Sequence, residues 1–300
     1  MPRVAANGLE LEYEDFGAPD APVILLIMGL GAQLTLWPIE LVEALVARGF
    51  RVIRYDNRDI GLSDKFEGAR TPAMGWIILA KRLGLRPRVP YSLADMADDA
   101  AGLLDALGIA SAHVAGASMG GMIAQHLACR HPDKVASLTS IMSTTGNRKL
   151  PSAKKEALKA LTTPPRSLEH DALVEHGVKI ARAIGSPGYA APEDRLRERV
   201  AANVRRSVYP QGLQRQLAAI IADGDRRALL ACVKAPALVI HGEDDPLVPV
   251  EAGRDTAAHI PGARLQTIPG WGHDLPLELT GEIAGMIADH ALQSTNGESA

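Results

Sequence analysis

The sequence has little cysteine, no cluster of positive charge and no long apolar run, and each shortage excludes a class of protein. Only two of its 300 residues are cysteines. Cys129 and Cys232 lie in apolar, helix-like surroundings, so we expect two buried thiols rather than a disulfide. The chain has 32 basic and 35 acidic residues and a net charge of −3. Because the basic residues are scattered, we expect no nucleic-acid partner.

No apolar run reaches the roughly 18 residues that a membrane-spanning helix needs. Stable insertion into a membrane is therefore not expected. The beginning of the chain, MPRVAANGLELEYEDFG, lacks the basic segment followed by an apolar run that marks a secretory signal. These features predict a cytoplasmic protein, and they leave a homodimer open.

Short apolar runs alternate with segments of helical periodicity along most of the chain. Helical patterns such as IELVEALVARG and GGMIAQHLACRHP end near Gly or Pro. This alternation predicts an α/β protein with a mostly parallel, doubly wound sheet. Most of the apolar runs are continuous, as in strands covered on both faces. The six predicted strands are Ala21–Gly29, Arg51–Asp56, Ser111–Ala117, Val135–Ser143, Ala235–Glu243 and Ala263–Gly270.

Two regions interrupt the alternation. Residues 65–91 are too long for a simple connection, and we expect an excursion over the sheet edge. Its centre, MGWIILAKRLGLR, is predicted to be a helix packed on the protein, with a mobile flap or a membrane-touching amphipathic piece as alternatives. Residues 146–233 have helical patterns, Pro and Gly breaks and no convincing strand. Because strands resume afterwards, we expect a helical insertion at 146–233 on a core formed by residues 1–145 and 234–300.

The segment AHVAGASMGGMIAQHL places a serine between a predicted buried strand and a predicted helix. Residues 116–120 fit the pattern G-x-S-x-G, in which glycines relieve crowding at a strained turn and lift the serine above the sheet edge. A serine hydroxyl is a weak nucleophile near neutral pH. It needs an adjacent base, a group that orients the base, and donors for the oxyanion that forms. The pattern also occurs by chance, so the interpretation of Ser118 as a nucleophile depends on its partners.

The base is expected last in chain order, with the acid between it and the serine. His273 lies in the loop IPGWGHDLP directly after the last predicted strand, where a side chain can reach back over the sheet edge. The loop HGEDDPLVP, after the preceding strand, offers Glu243, Asp244 and Asp245. We predict Asp245 as the acid and keep Asp244 as the alternative. The acid would hold the tautomer of His273 and stabilise its imidazolium form.

Two backbone N–H groups are expected to bind the oxyanion. One belongs to Met119, directly after the serine, and the other to Leu30, in the glycine-containing loop that follows VILLIM. No cluster of His and Cys with metal-ligand spacing is evident, so we expect no metal and no organic cofactor. An apolar substrate pocket is expected to include three further residues: Gly29, Trp37 and Trp271.

These motifs resemble those of the α/β-hydrolases, and most of all esterases of the aclacinomycin methylesterase type. The matching segments are LLIMGLGAQ, VIRYDNRDIGLSD, GASMGGMIAQ, HGEDDPLVP and IPGWGHDLP, and the resemblance covers nearly the whole chain. It implies an α/β-hydrolase fold with a helical cap inserted into the core. The residue roles that it implies are nucleophile for Ser118, acid for Asp245, base for His273, and oxyanion-binding amides for Leu30 and Met119.

The sequence departs from the wider family at two places. Met28 precedes Gly29 where a histidine is widespread, and Asp59 takes the place of a glycine in the common motif D-x-R-G-x-G-x-S. Both departures recur in the methylesterase-like branch, so the resemblance still implies the same mechanism. The serine at the elbow disfavours the relatives that use an aspartate nucleophile, the dehalogenases and epoxide hydrolases.

The function expected from these residues is that of a serine carboxylesterase acting on small or medium carboxylic esters. A small-molecule ester is the partner that this function implies. The same three residues could instead support perhydrolase or cofactor-free haloperoxidase activity, or hydrolysis of carbon–carbon bonds. A proline iminopeptidase and a non-catalytic ligand-binding protein on the same scaffold are the remaining alternatives.

Overall fold

A single eight-stranded sheet forms the centre of the structure, a computed structural model that describes residues 2–85 and 87–296. The strands are β1 (Arg3–Ala6), β2 (Leu9–Phe16), β3 (Val23–Ile27), β4 (Arg51–Tyr55), β5 (Ala112–Ala117), β6 (Val135–Ile141), β7 (Ala237–Gly242) and β8 (Arg264–Ile268). Their order across the sheet is β1-β2-β4-β3-β5-β6-β7-β8. The pairs β1–β2 and β2–β4 are antiparallel, and the other pairs are parallel. The predicted, mostly parallel α/β sheet is confirmed.

Some of the helices cover the faces of the sheet, and others belong to one long insert between β6 and β7. The helices are α1 (Ile39–Val46), α2 (Met74–Arg82), α3 (Leu93–Ala106), α4 (Met119–Arg130), α5 (Lys155–Thr162), α6 (His170–Ile184), α7 (Glu193–Arg206), α8 (Pro210–Asp223), α9 (Arg227–Leu230), α10 (Val250–His259) and α11 (Thr280–Asn296). Residues 142–236 connect β6 to β7, carry α5–α9, and are called the helical insert below. Within the described ranges, no helix combines the length and apolar character that crossing a bilayer requires.

Both faces of the sheet are covered, which explains the unbroken apolar runs. All five residues of β3, VILLI, are buried. Because side chains alternate along a strand, Ile24 and Leu26 pack in the cluster that includes α1 and α11. Leu25 and Ile27 face the other cluster, which includes α3 and α4. Because β4, β3, β5, β6, β7 and β8 run in parallel, their carboxyl ends lie at the same edge of the sheet. The candidate site lies at this edge.

The hairpin formed by β1 and β2 was not among the six predicted strands. Ala6 pairs with Leu9, so that Asn7 and Gly8 form a two-residue loop. Both have positive φ angles, 49° and 77°, as a type I′ turn requires, and Asn-Gly is its preferred sequence. The signal was therefore present in NGLELEYEDF, where apolar and polar residues alternate from Leu9.

The two cysteines are free thiols, as predicted, but only one of them is sheltered. The Cys129 thiol donates to the carbonyl oxygen of Leu229 at 3.1 Å, and burial raises its pKa to about 11. Cys232 is exposed, so the expectation of a second buried thiol is wrong. It follows α9 at a turn on the surface, outside the apolar clusters.

Stability is expected to fall as the pH drops below the ordinary histidine range, because His113 is buried in β5. Its Nδ1 lies 2.9 Å from Oγ of Ser137, and burial lowers its pKa to about 4. As the pH falls, the unfolded chain takes up a proton at this histidine before the folded chain does. The contribution of the neutral, buried His113 to the free energy of unfolding is therefore complete above pH 6.5 and is lost between pH 6.5 and about 4. The full loss is at most about 3 kcal/mol. Urea unfolding at several pH values should show a shallower acid loss in His113→Gln than in the wild type.

The matched control for this prediction is His170→Gln, which removes a histidine whose side chain is 47% exposed. Equal acid losses in the wild type and in His113→Gln would show that His113 does not contribute to the pH dependence.

Candidate active site

Ser118 occupies a strained turn between β5 and α4. Its φ and ψ angles are 55° and −117°, a region that non-glycine residues rarely adopt. A Cβ atom at Gly116 would lie 2.2 Å from the carbonyl oxygen of Gly120, and one at Gly120 would lie 2.0 Å from that of Ile27. Both distances are far below contact range, so the two positions require glycine. The predicted strained elbow and the steric role of its glycines are confirmed.

Three side chains that are distant in sequence meet at this turn. Nε2 of His273 lies 3.0 Å from Oγ of Ser118, and Nδ1 lies 2.6 Å from Oδ2 of Asp245. His273 and Asp245 are buried, whereas Ser118 is partly exposed. Asp244, the alternative acid, instead accepts a hydrogen bond from the N–H of Gly270 at 2.8 Å. The structure therefore brings together Ser118, His273 and Asp245, and not Asp244.

The Asp245 carboxylate is held by backbone donors. Its Oδ1 accepts hydrogen bonds from the N–H groups of Leu247 and Val248, both at 2.8 Å. This leaves Oδ2 for His273. His241 also approaches Oδ2, at 3.6 Å, but burial lowers its pKa, and its Nε2 lies 2.7 Å from the carbonyl oxygen of Val248. A neutral His241 that donates to Val248 packs beside Asp245 without neutralising its charge.

The loop that carries His273 is fastened by the helical insert. The N–H of His273 donates to the carbonyl oxygen of Ile184 at 2.7 Å, and that of Gly272 donates to Oγ of Ser186 at 2.9 Å. The Ser186 hydroxyl in turn donates to the carboxylate of Asp274, and burial raises the pKa of that carboxyl. Sequence reasoning missed Ile184 and Ser186. Their part of the chain is separated from His273 by almost ninety residues, and no motif marks it.

The loop after β3 passes directly over Ser118. A Cβ atom at Gly29 would lie 3.1 Å from Cβ of Ser118, so Gly29 lies beside the serine, and its place in a substrate pocket stays a prediction. Asn57 donates from Nδ2 to the carbonyl oxygen of Met28 at 2.9 Å and thereby orients the start of the loop.

A second residue of the insert fixes the other end of this loop. Gln216, fully buried on α8, accepts a hydrogen bond from the N–H of Gly31 and donates one to the carbonyl oxygen of Arg58, both at 2.9 Å. Between the two fixed points, the N–H of Leu30 has no acceptor among the described residues. Met119 is the first residue of α4, so its N–H has no acceptor within the helix. Neither N–H group therefore has a hydrogen-bond acceptor among the described residues.

The predicted pocket residues Trp37 and Trp271 do not face open space. Both side chains are fully buried in the cluster on the α1 and α11 side of the sheet, and Nε1 of Trp271 donates to the carbonyl oxygen of Asp274 at 2.7 Å. Their assignment to the substrate pocket is wrong. These rings are core residues, and the sequence gives no means of separating a core tryptophan from one that lines a pocket.

A cavity of about 330 Å³ lies elsewhere on the same edge, between α2, α4, α8 and the segment after β6. Met122, one helical turn after Ser118, forms part of its wall, and Ile220 and Ile221 of α8 add further apolar surface. Arg82 and Arg148 also line it, and both are exposed. In the part of the chain that the structure describes, no three His, Cys, Asp or Glu residues are grouped in a way that could hold a metal ion.

Two ion pairs, one of them buried on both sides, fasten the insert to the loop after β4. Arg215 of α8 binds Asp59 through two hydrogen bonds, Nε to Oδ2 at 2.6 Å and Nη2 to Oδ1 at 2.9 Å. Burial alone would raise the pKa of Asp59, but hydrogen bonds from Arg215 and from the N–H of Phe66 lower it. Arg206 of α7 contacts Asp56 at 2.7 Å. Asp59 stands where the wider family has a glycine, and its backbone has a positive φ angle of 69°. Its carboxylate provides the negative charge that Arg215 of the insert binds.

Comparison with known proteins agrees with this architecture. Residues 22–278 match the family model described as the alpha/beta hydrolase fold, and the chain belongs to this family. It is 31% identical to rhodomycin D methylesterase DnrP from Streptomyces peucetius, over 97% of this chain and 98% of that protein. The expected resemblance to methylesterases of this type is confirmed, and these relatives are hydrolases of ester bonds.

Two further proteins extend the comparison. The chain is 30% identical, over 88% of its length and 91% of the relative's, to a protein of Mycobacterium tuberculosis (strain ATCC 25618 / H37Rv) provisionally named a non-heme bromoperoxidase, BpoC. The crystal structure of the enol-lactonase from Burkholderia xenovorans LB400 superposes with a TM-score of 0.73 at 26% identity, covering 96% of this chain and 99% of that one.

Proposed function

We propose that this α/β-hydrolase is a serine carboxylesterase that hydrolyses small or medium carboxylic esters. The observation that carries the proposal is the continuous chain of contacts from Ser118 Oγ through the imidazole of His273 to Asp245, with distances of 3.0 Å and 2.6 Å. The partly exposed hydroxyl can meet a substrate, while the buried imidazole and carboxylate are sheltered from water.

In the proposed reaction, His273 takes the proton of Ser118 as the oxygen attacks the ester carbonyl. The N–H groups of Leu30 and Met119 bind the resulting oxyanion, and Asp245 stabilises the imidazolium. His273 then donates its proton to the departing alcohol, which leaves an acyl group on Ser118. A water molecule then attacks the acyl-enzyme while His273 takes its proton. His273 returns this proton to Oγ of Ser118 as the acid leaves, which restores the free enzyme.

The methylesterase relatives favour an ester with a small alcohol, and we propose that the helical insert acts as the cap that covers the substrate. Perhydrolysis is the second candidate, because the similarity to BpoC points to peroxide chemistry and the same acyl-enzyme could be attacked by hydrogen peroxide instead of water. A peracid, which oxidises halide ions, would be its product.

Covalent labelling with a fluorophosphonate, combined with a substrate panel, tests this function. The label should attach to the peptide that contains Ser118. The panel compares p-nitrophenyl esters of increasing chain length, methyl esters, a vinylogous diketone, and bromination with acetate and peroxide. We expect ester hydrolysis to be fastest. Fastest bromination would favour the perhydrolase, fastest cleavage of the diketone would favour a carbon–carbon hydrolase, and a folded protein that takes no label would be a ligand-binding protein.

Gln216→Leu is expected to lower kcat roughly tenfold with little change in KM, because a misplaced oxyanion donor weakens transition-state binding more than substrate binding. The substitution removes the acceptor for the N–H of Gly31 and releases the loop that carries Leu30. Steady-state kinetics on a p-nitrophenyl ester measures the effect. Gln214→Leu, at an exposed position of the same helix, is the matched control. A wild-type kcat in Gln216→Leu would refute the positioning role.

A further inference from the structure

An exposed apolar stripe runs along α2. Trp76, Leu79 and Leu83 have the i, i+3, i+7 spacing that places side chains on one side of a helix. They are 54%, 47% and 64% exposed. The adjacent side of the helix carries Ile77 and Ala80, which are buried, and α2 packs against α8. The prediction of a packed helix therefore describes that side only, and the stripe has no partner within the described chain.

The stripe is part of a concentrated patch. Thirteen large apolar side chains are exposed among the residues that the structure describes, and five of them lie within ten residues of the chain. We call this surface the α2 patch, and its members are Trp76, Ile78, Leu79, Leu83 and Leu85. Apolar side chains scattered singly over a surface need no explanation, but Trp76, Leu79 and Leu83 lie side by side on the helix, as the residues of an interaction site do.

The basic residues are scattered over the chain as a whole, but the segment that carries the α2 patch is charged with one sign. Residues 70–91 contain five basic residues and no acidic residue, in a chain whose acidic residues outnumber the basic ones. Arg82 and Arg88 are exposed, and among the described residues neither forms a salt bridge. The apolar stripe of Trp and Leu fits a partner that has an apolar layer, and the unpaired arginines fit negative charges at the surface of that layer.

We propose that the α2 patch docks the protein on an anionic lipid surface. In such a complex α2 lies in the plane of the interface, with its stripe among the upper acyl chains and its arginines beside the headgroup phosphates. The helix has nine residues and a buried inner side, so the docking is peripheral. Ile78 and Arg82 also line the 330 Å³ cavity, and docking would place the rim of that cavity at the lipid.

The protein contains its own reporter for this interaction. Trp37 and Trp271 are fully buried, whereas Trp76 is half exposed. Tryptophan emission is therefore expected to shift to the blue when vesicles of phosphatidylcholine and phosphatidylglycerol are added, and the shift should come from Trp76. Sedimentation with the vesicles gives an independent measure of binding. Vesicles of phosphatidylcholine alone, and high salt, should weaken binding because the headgroup attraction is lost or screened.

Two sets of variants localise the effect. Leu79→Glu/Leu83→Glu is expected to reduce partitioning at least about tenfold, since it removes two apolar side chains from the interface and adds negative charge. Arg88→Gln should reduce it roughly fivefold. Leu292→Glu, at an exposed leucine of α11, is the matched control and should bind as the wild type does. Circular dichroism and hydrolysis of a soluble ester verify that each variant is folded.

Four outcomes would overturn the proposal. The first is the absence of both the emission shift and sedimentation, and the second is equal binding to neutral and anionic vesicles. The third is a loss of binding in Leu292→Glu as large as that in the double variant. The fourth is a dimer of the wild type in solution without vesicles that becomes a monomer in Leu79→Glu/Leu83→Glu. In that case a second copy of the chain, and not a lipid surface, would cover the α2 patch.

Discussion

Ser118→Ala should lower kcat/KM for ester hydrolysis by roughly 10⁴- to 10⁶-fold, because in the proposed mechanism the serine, the histidine and the aspartate act as a unit. Without the hydroxyl no acyl-enzyme forms, and only substrate binding and the two N–H donors remain. The variant should fold normally. Alanine is smaller than serine, and Oγ of Ser118 contacts His273 at a partly exposed position. The measurement is the steady-state rate on a p-nitrophenyl ester, with fluorophosphonate labelling of the same samples.

Ser111→Ala provides the control, because it removes an exposed hydroxyl just before β5. It should keep both the wild-type rate and the label. If Ser118→Ala retained a substantial fraction of the activity and still took the label, another residue would be the nucleophile and the proposed mechanism would be wrong.

Arg215→Met should destabilise the protein by about 3–5 kcal/mol, because it leaves the carboxylate of Asp59 buried without its cation. The side chains of Arg215 and Asp59 are 4% and 0% exposed, so water cannot replace the lost partner. Asp59→Asn/Arg215→Met should recover at least half of this loss. A neutral amide is less costly to bury, asparagine tolerates the positive φ angle, and its oxygen can still accept from the N–H of Phe66. Urea unfolding at neutral pH measures the free energy of each variant.

The matched control breaks an exposed pair instead. Arg227→Met removes the partner of Asp225, and the side chains of this pair are 36% and 39% exposed, so its effect on stability should be small. A loss in Arg215→Met no larger than in Arg227→Met would show that the buried pair does not anchor the insert.

Much of the architecture could be predicted because it depends on local chemistry. The apolar runs of β3 and β5 reflect strands covered on both faces, and the elbow at Ser118 reflects two glycines that no other residue could replace. The loop position of His273 and the place of Asp245 follow from the order of the strands. In the hairpin of β1 and β2 the Asn-Gly signal was present, but the first strand has only four residues and its pattern is correspondingly weak.

The remaining features depend on contacts between distant parts of the chain. Gln216 and Ser186 lie in helical segments or turns of ordinary composition, and only the folded structure brings them to the site. The prediction that Trp37 and Trp271 line the pocket is wrong for a related reason. A large aromatic residue near a functional motif fits a core as well as a pocket, and the difference is decided by packing that has no local signature.

The contacts of the insert with both active-site loops have a consequence for protein engineering. Ile184 and Ser186 fasten the loop of His273, and Gln216 fastens the loop of Leu30. A chimera that receives the corresponding helices of a relative would therefore exchange, together with the proposed cap, part of the support of the loops that carry His273 and Leu30. Such a transplant should preserve turnover only when the incoming segment reproduces these hydrogen bonds.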